Sequence, residues 1–111
     1  MKQGEIWLVC FPKGTGHEYF KERPALIVES NSQLHLTSLV TIMPITSNVC
    51  VLEDIDFLIQ KDAMNNLHRE SVIKTGHLTG FDKSRFLKKI GKVDPVILVE
   101  VKKYLQIHFD I

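Results

Sequence analysis

The sequence has no long apolar run and only two cysteines. Both features exclude classes of protein. Its most apolar stretch, residues 95–99, is far shorter than the about 20 residues that a helix needs to cross a bilayer. The first residues show no apolar segment followed by a small-residue cleavage site, which a secretory signal would require. We therefore expect a cytoplasmic protein that does not span a membrane.

Metal and redox signatures are also missing. Cys10 and Cys50 are the only two cysteines, and nothing near them has metal-ligand or redox spacing. The five histidines lack metal-ligand spacing as well. The sequence thus predicts two buried or half-buried thiols in a reducing compartment, no metal site and no cofactor.

Charge of one sign is not in excess. The chain has 14 lysines and arginines against 13 acidic residues, for a formal net charge of +1, whereas a domain that grips long nucleic acid without specificity is usually much more basic. The charge is uneven, since residues 83–92 are basic and residues 53–56 acidic. A basic run of this kind is more often a solvated face than a binding patch, and both interpretations stay open.

Two common enzyme motifs are absent. Gly14 and Gly16 lack the rest of a phosphate-binding glycine fingerprint, and no G-x-S-x-G sequence is present. What remains is metal-free acid–base chemistry or simple binding.

The sequence that is present has the pattern of a small, mainly β domain. Its 111 residues, 44% of them hydrophobic, suit a single domain over residues 1–111. Five to seven short strands with Gly and Pro turns, closed by one helix, predict a small barrel. Residues 60–70 are predicted to form a loop, and Asp82 to cap a short helical turn. The predicted strands cover residues 5–11, 25–29, 37–43, 53–59, 71–75 and 89–93.

The last segment predicts a C-terminal helix. Asp94 is a predicted N-cap, and Pro95 fits the first helical position. Residues 96–99 are apolar nearly all round, which is typical of core or of a subunit interface. Residues at helical spacing predict a core-facing stripe: Ile97, Val101, Tyr104, Leu105 and His108.

Arg23 is the first candidate for chemistry. It follows a glycine-containing loop at the start of the predicted second strand, and Pro24 stiffens its backbone. A planar guanidinium suits bidentate contact with phosphate. The alternative is an ordinary salt bridge with Glu22 or Glu18.

Hydroxyl and imidazole groups are the other candidates. Thr46 and Ser47 follow the third predicted strand, where they can orient a phosphate oxygen or cap a turn. His17 lies beside Glu18 in the first loop and, near a phosphate, can act as acid, base or cation around neutral pH.

Taken in order, these and further segments resemble the MazF/PemK/Kid family of toxins from type II toxin–antitoxin systems. The resemblance covers most of the chain, and in the first 50 residues it is strongest to the Kid/PemK branch. The segments that carry it are residues 4–9, 16–18, 23–28, 44–47, 71–73, 81–86 and 90–93.

The resemblance implies a fold and an activity. The fold would be an SH3-like barrel with a C-terminal helix, assembled as a homodimer. The activity would be that of a metal-independent endoribonuclease, an mRNA interferase acting on single-stranded RNA. In such enzymes the ribose 2′-OH attacks the neighbouring phosphate and leaves a 2′,3′-cyclic phosphate and a 5′-OH end. A cognate antitoxin would cover the active site.

The resemblance also assigns roles to residues. Arg23 matches the family's strand-two arginine, which implies electrostatic stabilisation of the phosphorane with proton donation as a further role. Thr46 matches the hydroxyl that holds the phosphate, and Ser47 would assist it. His17 and Glu18 match loop residues near the scissile group. The predicted catalytic residues are thus Arg23, Thr46 and His17.

The chain departs from the Kid branch on the fifth strand. That branch has an arginine and, two residues later, an aspartate that serve as acid and base, where this chain has Lys74 and Gly76. Lysine can bind phosphate as a point charge, but glycine cannot transfer protons. His77 is a candidate replacement, and its alternative is a strand-end histidine with its ring in solvent. Lys74 and His77, with Glu18 and Ser47, form the predicted substrate-binding set.

Two other functions stay open. The related CcdB-type toxins share the barrel and poison DNA gyrase by binding it, without catalysis. A decayed family member would fold and bind its antitoxin but no longer cut RNA. The motifs at residues 23–24 and 44–47 favour the nuclease, because a binding protein has no need of them.

Overall fold

Antiparallel strands and a C-terminal helix build the fold. The computed structural model describes residues 1–12, 21–50 and 52–111. In this part of the chain the predicted mainly β fold, with five to seven strands and one C-terminal helix, is confirmed. The strands are β1 (Glu5–Phe11), β2 (Lys21–Ile27), β3 (Leu39–Thr46), β4 (Phe57–Ile59), β5 (Ser71–Ile73), β6 (Thr79–Asp82) and β7 (Phe86–Lys92). The helices are α1 (Asn31–Leu34) and α2 (Pro95–Phe109), and a 3-10 turn covers Lys83–Arg85.

Strand β3 changes partner along one edge. The strand order is β4-β5-β3-β2-β1-β7, and β6 pairs with the first half of β3. The end of β3, at Ile45 and Thr46, pairs instead with β5. Strands that change partner in this way make the corners of small barrels.

The central strands send alternate side chains into two hydrophobic clusters. In β2, Ala25 and Ile27 belong to one cluster, and Leu26 belongs to the other. Val101 of α2 covers the second cluster together with Met43 of β3. Both faces of these strands are therefore buried, which is why their sequences are apolar with little alternation.

Strand β2 begins earlier than the predicted strand at residues 25–29. It starts at Lys21 and therefore includes Arg23 and Pro24. Pro24 pairs with Leu8 of β1, whereas pairing with β3 begins only at Ala25. Proline is tolerated here because one side of the strand has no neighbour at this position that needs its missing N–H.

The predicted strand over residues 53–59 is wrong for its first half, because only Phe57–Ile59 form β4. Glu53 and Asp56 form a turn instead. The Asp56 N–H donates to the Glu53 carbonyl oxygen at 3.1 Å, and the Glu53 N–H donates to Asp56 Oδ2 at 2.9 Å. Glu53 and Asp56 pair with Lys74, so these two charged residues do not mark the solvent face of a strand.

Other element ends differ from the prediction by a few residues. Helix α1 occupies a segment whose sequence indicates a turn, and Ser30 caps it by accepting the Gln33 N–H at 3.3 Å. Strand β7 begins at Phe86, before the predicted residue 89. Asp82 caps the 3-10 turn as predicted, accepting the Ser84 N–H at 2.9 Å.

Helix α2 begins as predicted. Asp94 Oδ1 accepts the Val96 N–H at 2.9 Å, and Pro95 occupies the first turn. Val101 is buried, and Ile97 and Leu105 pack against the second cluster. No helix in residues 1–12, 21–50 and 52–111 is both long and apolar enough to cross a membrane.

Two features of α2 differ from a purely core-facing helix. His108 is exposed on the last turn of α2, where its ring lies beside Gly76, so its predicted place in the buried stripe is wrong. Val96 and Val99 are also exposed. Only some of the apolar side chains at residues 96–99 therefore belong to the core.

Both cysteines are free thiols. Cys10 in β1 is half-buried, as predicted, whereas Cys50 is exposed. The prediction is wrong for Cys50 because it follows the end of β3, where the chain leaves the sheet.

Candidate active site

A groove of about 670 Å³ lies beside Arg23. Residues from β1, β2 and β7 and from the loop over residues 60–70 line it, together with the end of β3. Its apolar lining comes from Leu8, Pro24, Ile45, Leu67 and Ile90, and its uncharged polar lining from Ser47, Asn66 and Ser71.

The ionisable side chains that line the groove are all basic among the described residues: Arg23, His68, Arg69, Lys88 and Lys89. Arg23, Arg69 and Lys88 make no ion pair with any carboxylate in the described ranges. The alternative of a salt bridge between Arg23 and Glu22 is therefore contradicted, whereas the alternative with Glu18 lies outside the described residues. Uncompensated cations around a concave surface attract an anionic ligand.

Glu5 holds one cation of the groove in place. Its Oε2 lies 3.1 Å from Lys89 Nζ, and its Oε1 accepts Trp7 Nε1–H at 2.9 Å. Burial raises the pKa of the Glu5 carboxyl, but the hydrogen bonds from Trp7 and Lys89 outweigh it and leave the pKa below its usual range. Lys89 is thus partly neutralised, which leaves Arg23, Arg69 and Lys88 as the groove cations without a carboxylate partner in residues 1–12, 21–50 and 52–111.

Strand β2 fixes the backbone of Arg23. Arg23 pairs with Val9, a fully buried residue of β1, and the neighbouring Pro24 pairs with Leu8. A guanidinium carried by a paired strand is better placed for a ligand than one at the tip of a loop.

A buried amide orders the loop over residues 60–70. Asn65 is 1% exposed, and its Oδ1 accepts the N–H groups of Asp62 at 3.1 Å and Leu67 at 3.0 Å. Its Nδ2 donates to the Gln60 carbonyl oxygen at 2.9 Å. A buried polar side chain satisfied in this way fixes one loop conformation.

Strand β7 supports this loop through a close backbone approach. A Cβ atom on Gly91 would lie 2.5 Å from the Met64 carbonyl oxygen and 2.7 Å from that of Asn65. Only glycine lets the two backbones come this close. The Lys92 N–H also donates to the Met64 carbonyl oxygen at 3.1 Å.

Both neighbours of His68 are anchored. Leu67 packs against the second hydrophobic cluster, and the Arg69 carbonyl oxygen accepts the hydroxyl of buried Ser71 at 3.0 Å. The loop therefore presents His68 and Arg69 to the groove from a fixed base.

The predicted phosphate-binding hydroxyls lie at the end of β3. Ser47 lines the groove. Thr46 precedes it, and its Oγ1 accepts the Asn48 N–H at 3.2 Å, which is the turn-capping role given above as the alternative. Thr46 itself is not among the described residues that line the groove, although its hydroxyl hydrogen is not used in that bond. His17 and Glu18 lie outside the described residues.

Lys74 does not line the groove. Its side chain is 5% exposed, and its Nζ lies 2.6 Å from Asp56 Oδ2 and 3.2 Å from Glu53 Oε1. Burial lowers the pKa of the Lys74 ammonium, but the two carboxylates outweigh it and raise the pKa above its usual range. The charge of Lys74 is used inside the fold, so its placement does not support the predicted substrate-binding role.

His77 belongs to the same ion cluster. Its Nε2 lies 3.1 Å from Glu53 Oε1. His77 therefore does not line the groove, and its ring does not point freely into solvent. The hydrogen bond and charge of Lys74, followed by those of His77, hold the pKa of the Glu53 carboxyl below its usual range.

The position of Gly76 leaves little room for a side chain. A Cβ atom there would lie 3.3 Å from Ile55 Cδ1 and 3.9 Å from His108 Cε1. A side chain at this position therefore requires Ile55 to give way by a few tenths of an ångström.

Sequence reasoning missed several residues that line the groove. His68 and Arg69 belong to a segment identified only as a polar loop, and Lys88 and Lys89 belong to the basic run at residues 83–92. The available signal was a His-Arg pair directly before a short apolar strand. This signal does not identify groove residues by itself, because the sequence does not show that the loop over residues 60–70 folds against β7.

Comparison with known proteins identifies the family. A family model described as "PemK-like, MazF-like toxin of type II toxin-antitoxin system" matches residues 2–109. The chain belongs to this family.

Curated relatives of this PemK/MazF-family chain are named endoribonucleases. Endoribonuclease MazF9 of Mycobacterium tuberculosis is 26% identical over 117 residues, which cover 100% of this chain and 98% of the relative. Endoribonuclease PemK of Escherichia coli is 30% identical over 102 residues, which cover 91% of this chain and 76% of the relative.

Solved structures show that the PemK/MazF-family chain has the fold of MazF toxins. MazF from Deinococcus radiodurans (form I) superposes with a TM-score of 0.79 at 23% identity, covering 100% of this chain and 97% of that one. A mycobacterial endoribonuclease in complex with its cognate antitoxin superposes with a TM-score of 0.78 at 15% identity, covering 100% and 96%.

Proposed function

We propose that this chain is a metal-independent, sequence-specific endoribonuclease toxin that cuts single-stranded RNA in the cytoplasm and is neutralised by a cognate antitoxin. The observation that carries the proposal is the groove with three cations that no described carboxylate pairs with: Arg23, Arg69 and Lys88. Such a surface suits the phosphate backbone of RNA. Its described lining contains no carboxylate, the ligand type that Mg²⁺ prefers.

The proposed reaction is an internal phosphoryl transfer. The 2′-oxygen of a ribose attacks the adjacent phosphorus, the bond from phosphorus to the 5′-oxygen breaks, and a 2′,3′-cyclic phosphate and a 5′-OH end result. Arg23 donates hydrogen bonds to the non-bridging oxygens and stabilises their charge in the transition state. Thr46 and Ser47 orient the phosphate. His17 and Glu18 are kept as proposed contributors from the first loop.

The groove also suits unstacked bases. Planar side chains such as imidazole and guanidinium stack on bases that are splayed out of a single strand. His68 and Arg69 are exposed at the groove, and apolar side chains such as Leu8 and Leu67 line the space beside them. This supports a preference for single-stranded RNA and for particular bases.

Two protein partners belong to the proposal. A relative of the same fold is described in complex with its cognate antitoxin, and we propose an antitoxin segment that covers the cationic groove. We also propose a homodimer. It is supported by exposed apolar side chains on and after α2, which would otherwise face water: Val96, Val99, Ile107, Phe109 and Ile111.

The test is incubation of the protein with a long single-stranded RNA in EDTA. We expect discrete cuts with cyclic phosphate at the new 3′ ends. Arg23→Ala should slow cleavage by about 100-fold or more, because removal of one preorganised donor from a transition-state charge typically costs about 10²–10³ in rate. Lys61→Ala is the control, since Lys61 is exposed and does not line the groove.

Three results would contradict the proposal. Absence of cleavage by folded wild-type protein that still binds its antitoxin would indicate a decayed toxin. Inhibition of gyrase in a supercoiling assay without RNA cleavage would indicate a CcdB-type toxin. Cleavage at the normal rate by Arg23→Ala would remove Arg23 from the mechanism.

A further inference from the structure

The proposed reaction needs a group that accepts the proton of the attacking 2′-OH. The acid–base positions implied by the family resemblance do not supply one in this chain. Lys74 is buried in ion pairs with Asp56 and Glu53, and Gly76 has no side chain and lies under Ile55. The proton acceptor must therefore come from another part of the fold.

The described lining of the groove contains a single side chain suited to accept a proton near neutral pH. Arginine and lysine side chains carry only donors when charged, and hydroxyls and amides are very weak bases. An imidazole exchanges its proton near neutral pH. His68 is the imidazole among the described lining residues, and the remaining polar ones are Arg23, Ser47, Asn66, Arg69, Ser71, Lys88 and Lys89.

The residues on both sides of His68 hold its backbone in place. Its preceding residue, Leu67, is held by a hydrogen bond to buried Asn65 and by packing against the second hydrophobic cluster. Its following residue, Arg69, is held through its carbonyl oxygen by Ser71. The ring itself is exposed, so an RNA strand in the groove can reach it.

We propose that His68 is the general base of the cleavage reaction, an inference that rests on the proposed function. The neutral imidazole takes the proton from the 2′-OH while a lone pair of the 2′-oxygen forms the new bond to phosphorus. The electron pair of the breaking bond leaves with the 5′-oxygen, which takes a proton from solvent water. The imidazolium returns its proton to solvent after the products leave. Arg23 and Lys88 contribute positive charge around the phosphate.

The experiment compares His68→Gln with wild type in single-turnover cleavage of single-stranded RNA in EDTA across a pH series. General base catalysis contributes about 10²–10⁴-fold to a rate, so we expect a loss in that range. Binding of an RNA with 2′-deoxyribose at the cleavage site should change less than about threefold. The rise of the wild-type rate with pH should disappear in His68→Gln. Added imidazole should restore cleavage by His68→Ala.

Matched controls separate this proposal from its alternatives. His35→Gln replaces an exposed histidine that does not line the groove, and it should cut at the wild-type rate. His17→Gln tests the histidine of the first loop and should keep the rise of the rate with pH.

A wild-type rate in His68→Gln would overturn the role of His68, as would a reduced rate with an unchanged pH profile and no rescue by imidazole. In either case the loss of cleavage in Arg23→Ala would still support the proposed function. Failure of the wild-type protein to cut RNA would overturn the proposed function itself, and with it this step.

Discussion

At the scale of single residues, the charge of Lys74 stabilises the fold. The sequence had instead suggested that this charge binds a ligand. Lys74 and Asp56 have side chains that are 5% and 1% exposed and lie 2.6 Å apart. Asp56 Oδ1 is buried without a hydrogen-bond partner in the described part of the chain. Moving two charges out of water is costly, so either charge is stable there only with its partner.

Replacement of Lys74 by Met should therefore destabilise the fold. It leaves a buried carboxylate unpaired, and we expect a loss of about 3 kcal/mol in the free energy of unfolding, measured by urea denaturation. The cleavage rate per folded molecule should stay at the wild-type value, because Lys74 does not line the groove.

Lys103→Met is the matched control for this prediction. It removes an exposed ion pair with Glu100 on α2, so unfolding should change by less than about 0.5 kcal/mol. The combined Lys74→Met and Asp56→Leu variant should regain part of the lost stability. Normal stability with lost RNA binding in Lys74→Met would instead restore the substrate-binding role predicted from sequence.

At the scale of elements, the loop over residues 60–70 depends on β7 for its shape. Its sequence is polar, and it forms neither strand nor helix. It is nevertheless ordered, because Asn65 satisfies its backbone groups from inside and Gly91 lets β7 approach. A residue of β7 thus controls the position of His68 and Arg69.

Gly91→Ala tests this dependence. The new Cβ would lie 2.5 Å from a backbone oxygen of Met64, so the loop must move away. We expect a loss of about 1–3 kcal/mol in stability, typical of overpacked sites, and a cleavage rate reduced more than tenfold in the folded protein. Denaturant unfolding and RNA cleavage on the same samples check both values.

Gly80→Ala is the comparison for Gly91→Ala. No atom lies within 4 Å of a Cβ at Gly80, so its stability should change by less than about 0.5 kcal/mol. Equal effects of the two substitutions would show that the close approach at Gly91 does not hold the loop.

Elements with local signals were predictable from sequence. The start of α2 follows from Asp94 and Pro95, and the 3-10 turn follows from Asp82, because each capping bond joins residues only two positions apart. The segment at residues 53–56 was not predictable, since Glu53 and Asp56 pair with Lys74, and Glu53 also with His77, both in a later segment.

At the scale of the whole molecule, a net charge of +1 conceals a strongly cationic groove. The acidic residues at 53 and 56 are used in the Lys74 cluster, and Glu5 neutralises Lys89. What remains unbalanced around the groove is Arg23, Arg69 and Lys88.

RNA binding should therefore depend on salt to a limited degree. Single-stranded nucleic acid gives a slope of about −0.7 per neutralised phosphate in a plot of log affinity against log salt concentration. Lys88→Ala should make this slope shallower by about 0.7, measured with an RNA that carries 2′-deoxyribose at the cleavage site. Lys61→Ala should leave it unchanged. Equal slopes for wild type and Lys88→Ala would exclude Lys88 from phosphate contact.

The candidate site was only partly predictable at this scale. Arg23 and Ser47 could be identified because each stands in a short recognisable motif. His68, Arg69 and Lys88 could not, because they reach the groove from the loop over residues 60–70 and from β7, which are distant from β2 along the chain. Their proximity is a property of the sheet order.

The narrow space at Gly76 also affects which substitutions this protein can accept there. A single mutation from glycine to aspartate would place its Cβ 3.3 Å from Ile55 Cδ1, beside a lysine already committed to Asp56. The aspartate also requires Ile55 to shift by a few tenths of an ångström. A single substitution at position 76 therefore does not restore the acid–base pair of the Kid branch, because Lys74 at the other position stays bound to Asp56 and Glu53.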